Sequence, residues 1–428
     1  MKKSVRSVVA WFDNKLWILH PLLFFFYSVM FLRTENQIIP IQAMFRSMAI
    51  GIFVILLLLF LGNKFADGQR AALLVSGVII LFFSYGHLIN LIERYLGKTF
   101  DEIGEWVFFI PGFFVVVLWI YYVLKRLHQM QEFTRYFFLV AIIVNLFPLQ
   151  RQLQSRHYAD AAQEHFLEFQ QELEAKLDLG SASIEEALQR DIYYIVLDAY
   201  GRADVLKDLY DYDNTEFIQF LESRGFYVAH DSHSNYDDTE LSLSSAFNMS
   251  YLSGLPETLG AQSGIDVETV KCFAARLINT NVLQEYFHAH GYTIIAFESG
   301  HPATVLEDAD IFLQSPSEDR GSSWRVGFET MLLDSSLGRL LMKVFPKSAH
   351  MLDWLFDLHR ERILYAFEHL PDYTQDDRPT FVFAHIISPH TPYVFGPNGE
   401  RIDHQDPFSL LDAKPGNPDN KKYYRDQV

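Results

Sequence analysis

Apolar and polar residues are arranged on two scales along this chain. Up to about residue 150 the apolar residues come in long blocks. Five runs stand out, at about Leu16–Leu32, Met44–Leu61, Ala71–Ile92, Trp106–Leu124 and Tyr136–Leu149. The middle three are long enough to cross a bilayer core, which takes roughly 20 helical residues. The first run holds His20-Pro21, and the last is short, with Glu132 and Arg135 just before it, so either can be a buried or interfacial helix instead. From Gln152 to Gln189 the chain is rich in Gln, Glu, Ala and Leu, which predicts one or two linking helices broken near Gly180.

Beyond residue 190 short apolar runs alternate with amphipathic ones. "DIYYIVLDAYGR" reads as a strand ending at Asp198. "NTEFIQFLESRG" reads as a helix capped by Asn214 and stopped by Gly225, leading into a short strand "FYVA". "NVLQEYFHAHG" and "YTIIAFESG" repeat helix, glycine stop and strand, and "RPTFVFAHIISPHTPYVFGPNG" is a strand breaking into a loop rich in Pro and His. The pattern predicts an α-helical membrane domain over 1–150, a helical linker over 151–190, and an α/β domain over 191–428 with a mostly parallel sheet flanked by helices. Ligands in such sheets collect beyond the carboxyl ends of the strands, where Asp198, Glu298 with His301, and His385 with His390 all fall.

Charge sharpens the division. The net charge is −18, but residues 1–150 carry 13 Lys and Arg against 8 Asp and Glu, and the remainder 22 against 45. An apolar basic part followed by an acidic one predicts a protein integral to a membrane with a polar domain attached. It argues against nucleic acid, which needs clustered Lys and Arg. With the N-terminus inside, Lys2, Lys3, Arg6, Lys15, Lys64, Arg70, Lys125, Arg126 and Arg135 lie on the cytoplasmic side, and only Arg33, Arg46, Arg94 and Lys98 outside. An odd number of spans then puts the acidic domain outside the cytoplasm, whereas four spans leave it inside. No cleavable leader, internal repeat or low-complexity segment is evident. The lone cysteine, Cys272, excludes a disulfide framework or a thiolate zinc cluster, and it reads as core filler. Paired intramembrane carboxylates, the mark of ion-coupled transport, are missing from the runs.

Candidate chemistry centres on "HSNYDDTELSLSSAFNM", His233–Met249. Asp237 suits an N-cap with Glu240 three residues on, and Leu243, Phe247 and Tyr251 repeat along one helical face. Thr239 then lies in the first turn near unpaired N–H groups, as an idle residue or as a nucleophile whose reaction builds negative charge. His230 and His233 make a weak ligand pair, and Arg202 reads as a surface charge. An acid, a hydroxyl and histidines at one sheet edge suit metal-assisted transfer of a phosphate or sulfate ester.

"IYYIVLDAYGR", "GFYVAHDSHSNYDDTELSLSSAFNM", "GYTIIAFESG" and "FVFAHIISPHTPYVFGPNGE" resemble bacterial membrane-anchored proteins of the sulfatase branch of the alkaline phosphatase superfamily, the lipoteichoic-acid-synthase-like proteins included. The resemblance covers roughly residues 190–410. It implies a divalent metal ion (Mn, Mg, Ca or Zn) held by Asp198 and Thr239, with Thr239 as nucleophile. It also implies His390 near substrate or leaving group, and His385 and His301 as further substrate contacts. A threonine nucleophile favours phosphoglycerol- or phosphoethanolamine-type transfer over true sulfatase chemistry. The implied substrate is a membrane lipid or envelope glycan at the outer face of the bacterial cytoplasmic membrane. The rival expectation is a non-catalytic envelope protein that binds an anionic glycan or lipid head group. The family's late Asp-His pair is matched only by Asp403-His404, which is followed by Gln and lacks a preceding apolar strand. "KKYYRDQV" reads as a helix just begun, so the domain is expected to be incomplete at its C-terminal end and to bind metal weakly.

Overall fold

The computed structural model describes residues 2–96, 106–126, 130–177, 190–252, 267–306, 308–317, 322–344, 353–373, 378–402 and 418–428. Asp403 and His404 lie outside them. The chain divides into two compact units: residues 1–156 with 325–348, and residues 157–324 with 349–428.

The first unit is helical. Its elements are α1 (Lys2–Glu35), α2 (Met44–Gly62), α3 (Gly68–Leu96), α4 (Trp106–Tyr121) and most of the apolar part of α5 (Met130–Leu177). Among the described residues three segments are long and apolar enough to cross a membrane: Ile41–Gly62, Gly68–Ile92 and Met130–Gln154. This reorders the sequence reading. The fourth apolar run forms only a shorter helix, Ile110–Lys125, while the fifth is no short fragment. It belongs to a 48-residue helix that begins at Met130 and runs on into the expected linker as far as Leu177. Arg135 and Glu132 pair at 3.2 Å one turn apart, so the charged flank starts the helix instead of ending it.

Two buried polar contacts in this unit cross between helices. His20 Nδ1 meets Ser76 Oγ at 2.7 Å between α1 and α3, and Asn145 donates to the Leu23 carbonyl at 2.9 Å. In an apolar solvent such groups find partners only inside the protein. The unit also includes a segment that the sequence pattern assigns to the polar domain. Helices α11 (Ser322–Asp334) and α12 (Gly338–Val344) carry residues 325–344 onto α2 and α3. The Leu337 amide donates to the Phe82 carbonyl at 2.7 Å, Arg339 donates to Asn90 at 2.8 Å, and Arg46 pairs with Glu329. Gly86 permits the approach, since a Cβ there would lie 2.4 Å from the Ser335 backbone.

Among the described residues the second unit is built on four parallel strands, β1 (Ile192–Leu197), β2 (Thr293–Phe297), β3 (Ile311–Leu313) and β4 (Thr380–Ile386), in the order β1-β4-β2-β3. Val196 lies beside His385 and Thr293 beside Thr380. Every residue of β2 and β4 is buried, as expected for central parallel strands covered on both faces. Around them lie α6 (Ala203–Tyr210), α7 (Thr215–Ser223), α8 (Thr239–Phe247), α9 (Val267–Asn279), α10 (Val282–Ala289), α13 (Trp354–His369) and α14 (Pro418–Gln427). The expected strand "FYVA" does not form. Phe226 and Tyr227 are exposed coil, with neither a ladder partner nor a core face to hold them extended. Strand β3 lies outside the predicted elements, because three residues carry no readable period.

Candidate functional site

Helix α8 is set on the sheet by Phe247, whose ring meets Phe383 of β4 at 4.9 Å and Tyr194 of β1 at 5.7 Å. Its N-cap is Asp238, not Asp237: the Asp238 carboxylate accepts from the Leu241 amide at 3.3 Å and pairs with Lys271 of α9 at 2.6 Å. The shift makes Thr239 the first helical residue, half-buried, and brings Glu240 inside. Leu243 and Phe247 are buried as expected, but Tyr251 is 67% exposed because the helix ends at Phe247.

Glu240 is 5% exposed. Burial first, and then the Asp238 carboxylate beside it, push its pKa up to about 7. Asp238 moves the other way. Burial alone would raise it, but hydrogen bonding with Glu240 and the Lys271 ammonium hold it below its ordinary value. Glu240 faces His301, with Oε1 and Nε2 3.7 Å apart, which ties the start of α8 to the loop after β2.

Asp198 ends β1. Its amide donates to the Ile386 carbonyl at 2.9 Å, and its own carbonyl accepts from the His390 amide at 3.0 Å, so the loops after β1 and β4 are joined through it. Its Oδ2 lies 3.5 Å from Nε2 of His385, whose side chain is fully buried. The other nitrogen of His385, Nδ1, meets Thr304 Oγ1 at 2.8 Å. Thr304 in turn meets Ser299 Oγ at 2.8 Å, and Ser299 accepts from the His301 amide at 3.0 Å. Burial would raise the pKa of Asp198. The hydrogen bond and charge of His385, with the charges of His390 and His301, outweigh it and hold the carboxyl below its ordinary value.

The remaining histidines take defined tautomers. His390 directs Nδ1 at the Thr391 carbonyl, 2.7 Å away, so that nitrogen carries the proton. His301 accepts the Ala303 amide on Nδ1 at 3.3 Å. Burial, then the like charge of His385, pulls the His301 pKa down to about 4, which keeps the ring neutral at physiological pH. Gly300 makes this turn possible, with φ +80° and a Cβ position 2.0 Å from the Arg362 guanidinium.

The structure therefore gathers Asp198, His385, His301 and His390 at the carboxyl ends of β1, β4 and β2. Thr239 stands at the helix end that reaches His301 through Glu240. Among the described residues no hydrogen bond joins the Thr239 hydroxyl to Asp198, and no group of three or more His, Cys, Asp or Glu is placed to hold a metal. The expected substrate contact His385 is fully buried, which makes it a support for Asp198. His230 and His233 are no ligand pair. His230 pairs with Glu222 at 3.3 Å, whereas His233 and Asp204 both hold Arg202. Glu298 builds the turn by accepting the Gly300 amide at 2.8 Å. Cys272 is half-buried on α9.

Several residues of the site escape sequence reading: Lys271, Ser299, Thr304, and His359 with Arg362 on α13. His359 is buried and bonds the Ile387 backbone, and its pKa falls to about 3 through burial and then the charge of Arg362. Only the i, i+3 spacing of His359 and Arg362 on an otherwise apolar stripe hints at them. No family model, curated protein or solved structure matches this chain.

Proposed function

We propose that this protein is a metal-dependent hydrolase or transferase of the alkaline phosphatase and sulfatase kind, acting on phosphate or sulfate esters at the outer face of a bacterial cytoplasmic membrane. One observation carries the reading: an ionised aspartate braced by a buried histidine shares a sheet edge with two further histidines and the threonine-bearing end of α8. Asp198 and the Thr239 hydroxyl are oxygen donors, the type a hard divalent cation takes. Asp198 stays ionised, and the buried Nε2 of His385 faces it without a closer partner. Asp198 and Thr239 would hold the ion, which when bound lowers the pKa of a hydroxyl and offsets charge on the ester oxygens.

The residues of the chain have these roles. Thr239 Oγ1 bonds to phosphorus as the bond to the leaving alcohol breaks, and the hydroxyl proton passes to solvent. His390 carries one proton on Nδ1, pointed at Thr391, and exchanges another with the leaving oxygen through Nε2. His301, neutral, donates a hydrogen bond to a non-bridging oxygen. Water or an acceptor hydroxyl then breaks the threonine ester. A lipid head group or envelope glycan is the substrate class suited to a domain joined to membrane helices.

The test uses purified protein in lipid nanodiscs with bis(p-nitrophenyl) phosphate and p-nitrophenyl sulfate, with Mn²⁺ or after chelation. Phosphodiester cleavage should need the metal, and Thr239→Ala should lose several orders of magnitude in rate. Near-normal turnover by Thr239→Ala would sink the assignment. Metal-independent binding of anionic glycan without any turnover would favour the non-catalytic reading. A reporter active only outside the cytoplasm, fused after residue 200, should be active.

A further inference from the structure

The two loops that carry Asp198 and His390 are held by one helix that contributes nothing to the proposed chemistry. Tyr424 of α14 donates its hydroxyl to the Ala199 carbonyl at 2.8 Å and accepts the Gly201 amide at 3.2 Å. Its ring stacks on Tyr210 of α6 with centroids 3.9 Å apart. One turn further along, Gln427 Oε1 accepts the amides of Val394 at 2.7 Å and Phe395 at 3.3 Å, and Nε2 donates to the His390 carbonyl at 3.0 Å. Residues three apart share a helix face, so the two side chains act side by side.

The backbone explains why such a hold is needed. Ala199, next after Asp198, has φ +64°, a left-handed conformation that is costly for an L-residue with a Cβ. A strained residue persists only where its surroundings over-determine it. Here the surroundings are the Tyr424 hydroxyl and the backbone bonds Asp198–Ile386 and His390–Asp198. Among the described residues the Pro-rich stretch Ser388–Phe395 has no ladder beyond a single bridge from Phe395 to Arg401, and Gln427 satisfies the Val394 and Phe395 amides.

We propose that α14 is a clamp, with Tyr424 and Gln427 as positioning residues that fix the spacing between Asp198 and His390. The inference rests on the proposed role of those two loops as the reactive edge. Tyr424→Phe keeps the stacked ring and removes both hydrogen bonds, and Gln427→Leu keeps the bulk and removes three. Both are compared with Tyr423→Phe in the full chain in nanodiscs.

Hydrogen exchange should quicken by about tenfold over residues 199–202 in Tyr424→Phe and over 390–395 in Gln427→Leu, as expected for a lost hydrogen bond. Tyr423→Phe should change neither segment. The kcat on bis(p-nitrophenyl) phosphate should fall about tenfold in each variant, with KM moving less than about threefold, the mark of geometry lost in the transition state. The midpoint of thermal unfolding should stay within a few degrees. Unchanged exchange in both segments would overturn the clamp, as would faster exchange everywhere in step with a large fall in the unfolding midpoint. If the unaltered protein cleaves no ester, the enzymatic reading fails separately. The clamp is then judged by exchange and by Mn²⁺ affinity, which should weaken about tenfold in both variants and is overturned by no change.

Discussion

Helix α2 and strand β4 are both almost wholly apolar, yet the structure treats them in opposite ways. Phe53 on α2 is 67% exposed, whereas Phe383 on β4 is completely buried. Length separates them: Ile41–Gly62 matches a bilayer, while seven residues of β4 match the centre of a parallel sheet. Their polar neighbours differ too. In the helical unit His20–Ser76 and Asn145–Leu23 are separate matches inside an apolar bundle. At the end of β4, His385, Thr304, Ser299 and His301 form a connected chain. Packing in lipid needs polar groups only to be satisfied, whereas those at the end of β4 are linked one to the next.

The sharpest break of this comparison is a pair of truncations. Phe383→Ala removes a ring held between Phe247 and Tyr194 and should cost about 3–5 kcal/mol in unfolding of the sheet unit. Phe53→Ala in lipid should cost no more than about 1 kcal/mol, since its neighbour is solvent in either case. Equal losses, measured by denaturant unfolding in nanodiscs, would show that α2 faces protein and not lipid.

A second pair separates backbone strain from side-chain crowding at the site. Gly300 and Gly225 both have positive φ, +80° and +87°, but only at Gly300 does a Cβ meet another group, the Arg362 guanidinium. Gly225→Ala should cost about 1 kcal/mol and Gly300→Ala about 2–3 kcal/mol. Matching losses would remove Arg362 from the description of the His301 turn.

Glu240 supplies a pH test confined to the sheet unit. Its pKa is about 7 folded against 4.5 unfolded, so the folded form binds its proton more tightly. Its contribution is full below pH 4.5 and is lost as pH rises through 7, by about 1–3 kcal/mol. Glu240→Gln should flatten that slope, read from unfolding midpoints between pH 4.5 and 7.5, and an unchanged slope would place the proton elsewhere. The smallest effect belongs to the helical unit. Arg46 and Glu329 pair with Arg46 largely exposed, so a double-mutant cycle to Ala should give a coupling of only about 0.2–1 kcal/mol. A value of several kcal/mol would mean that this pair is shielded from water.

Much of the second unit is legible in the order of its residues. Strands ending next to Asp198 and His385, the helix opening near Thr239 and the glycine stop at Gly225 follow from local rules of period, capping and backbone freedom. The places where local rules fail are also informative. The N-cap lies at Asp238 and not at Asp237 because Lys271, on another helix, pairs with Asp238. Residues 325–344 join the helical unit because Gly86, Phe82 and Asn90 receive them, which no property of that segment announces.

The sequence by itself determined where the apolar blocks lie, where the period changed from blocks to alternating helix and strand, and which strand ends carry acids and histidines. These are properties of neighbours along the chain, and local sterics and hydropathy govern them. Which of the fourth and fifth blocks is long enough to cross a membrane was left to the structure. Only the tertiary structure decided that Glu240 is buried beside Asp238, that His385 stands behind Asp198, and that Tyr424 and Gln427 grip the loops at both sides. Those arrangements join residues up to 225 positions apart, as Tyr424 is from Ala199. Burial, charge and hydrogen bonding at that separation are set by which faces pack together, and no stretch of sequence carries that information alone.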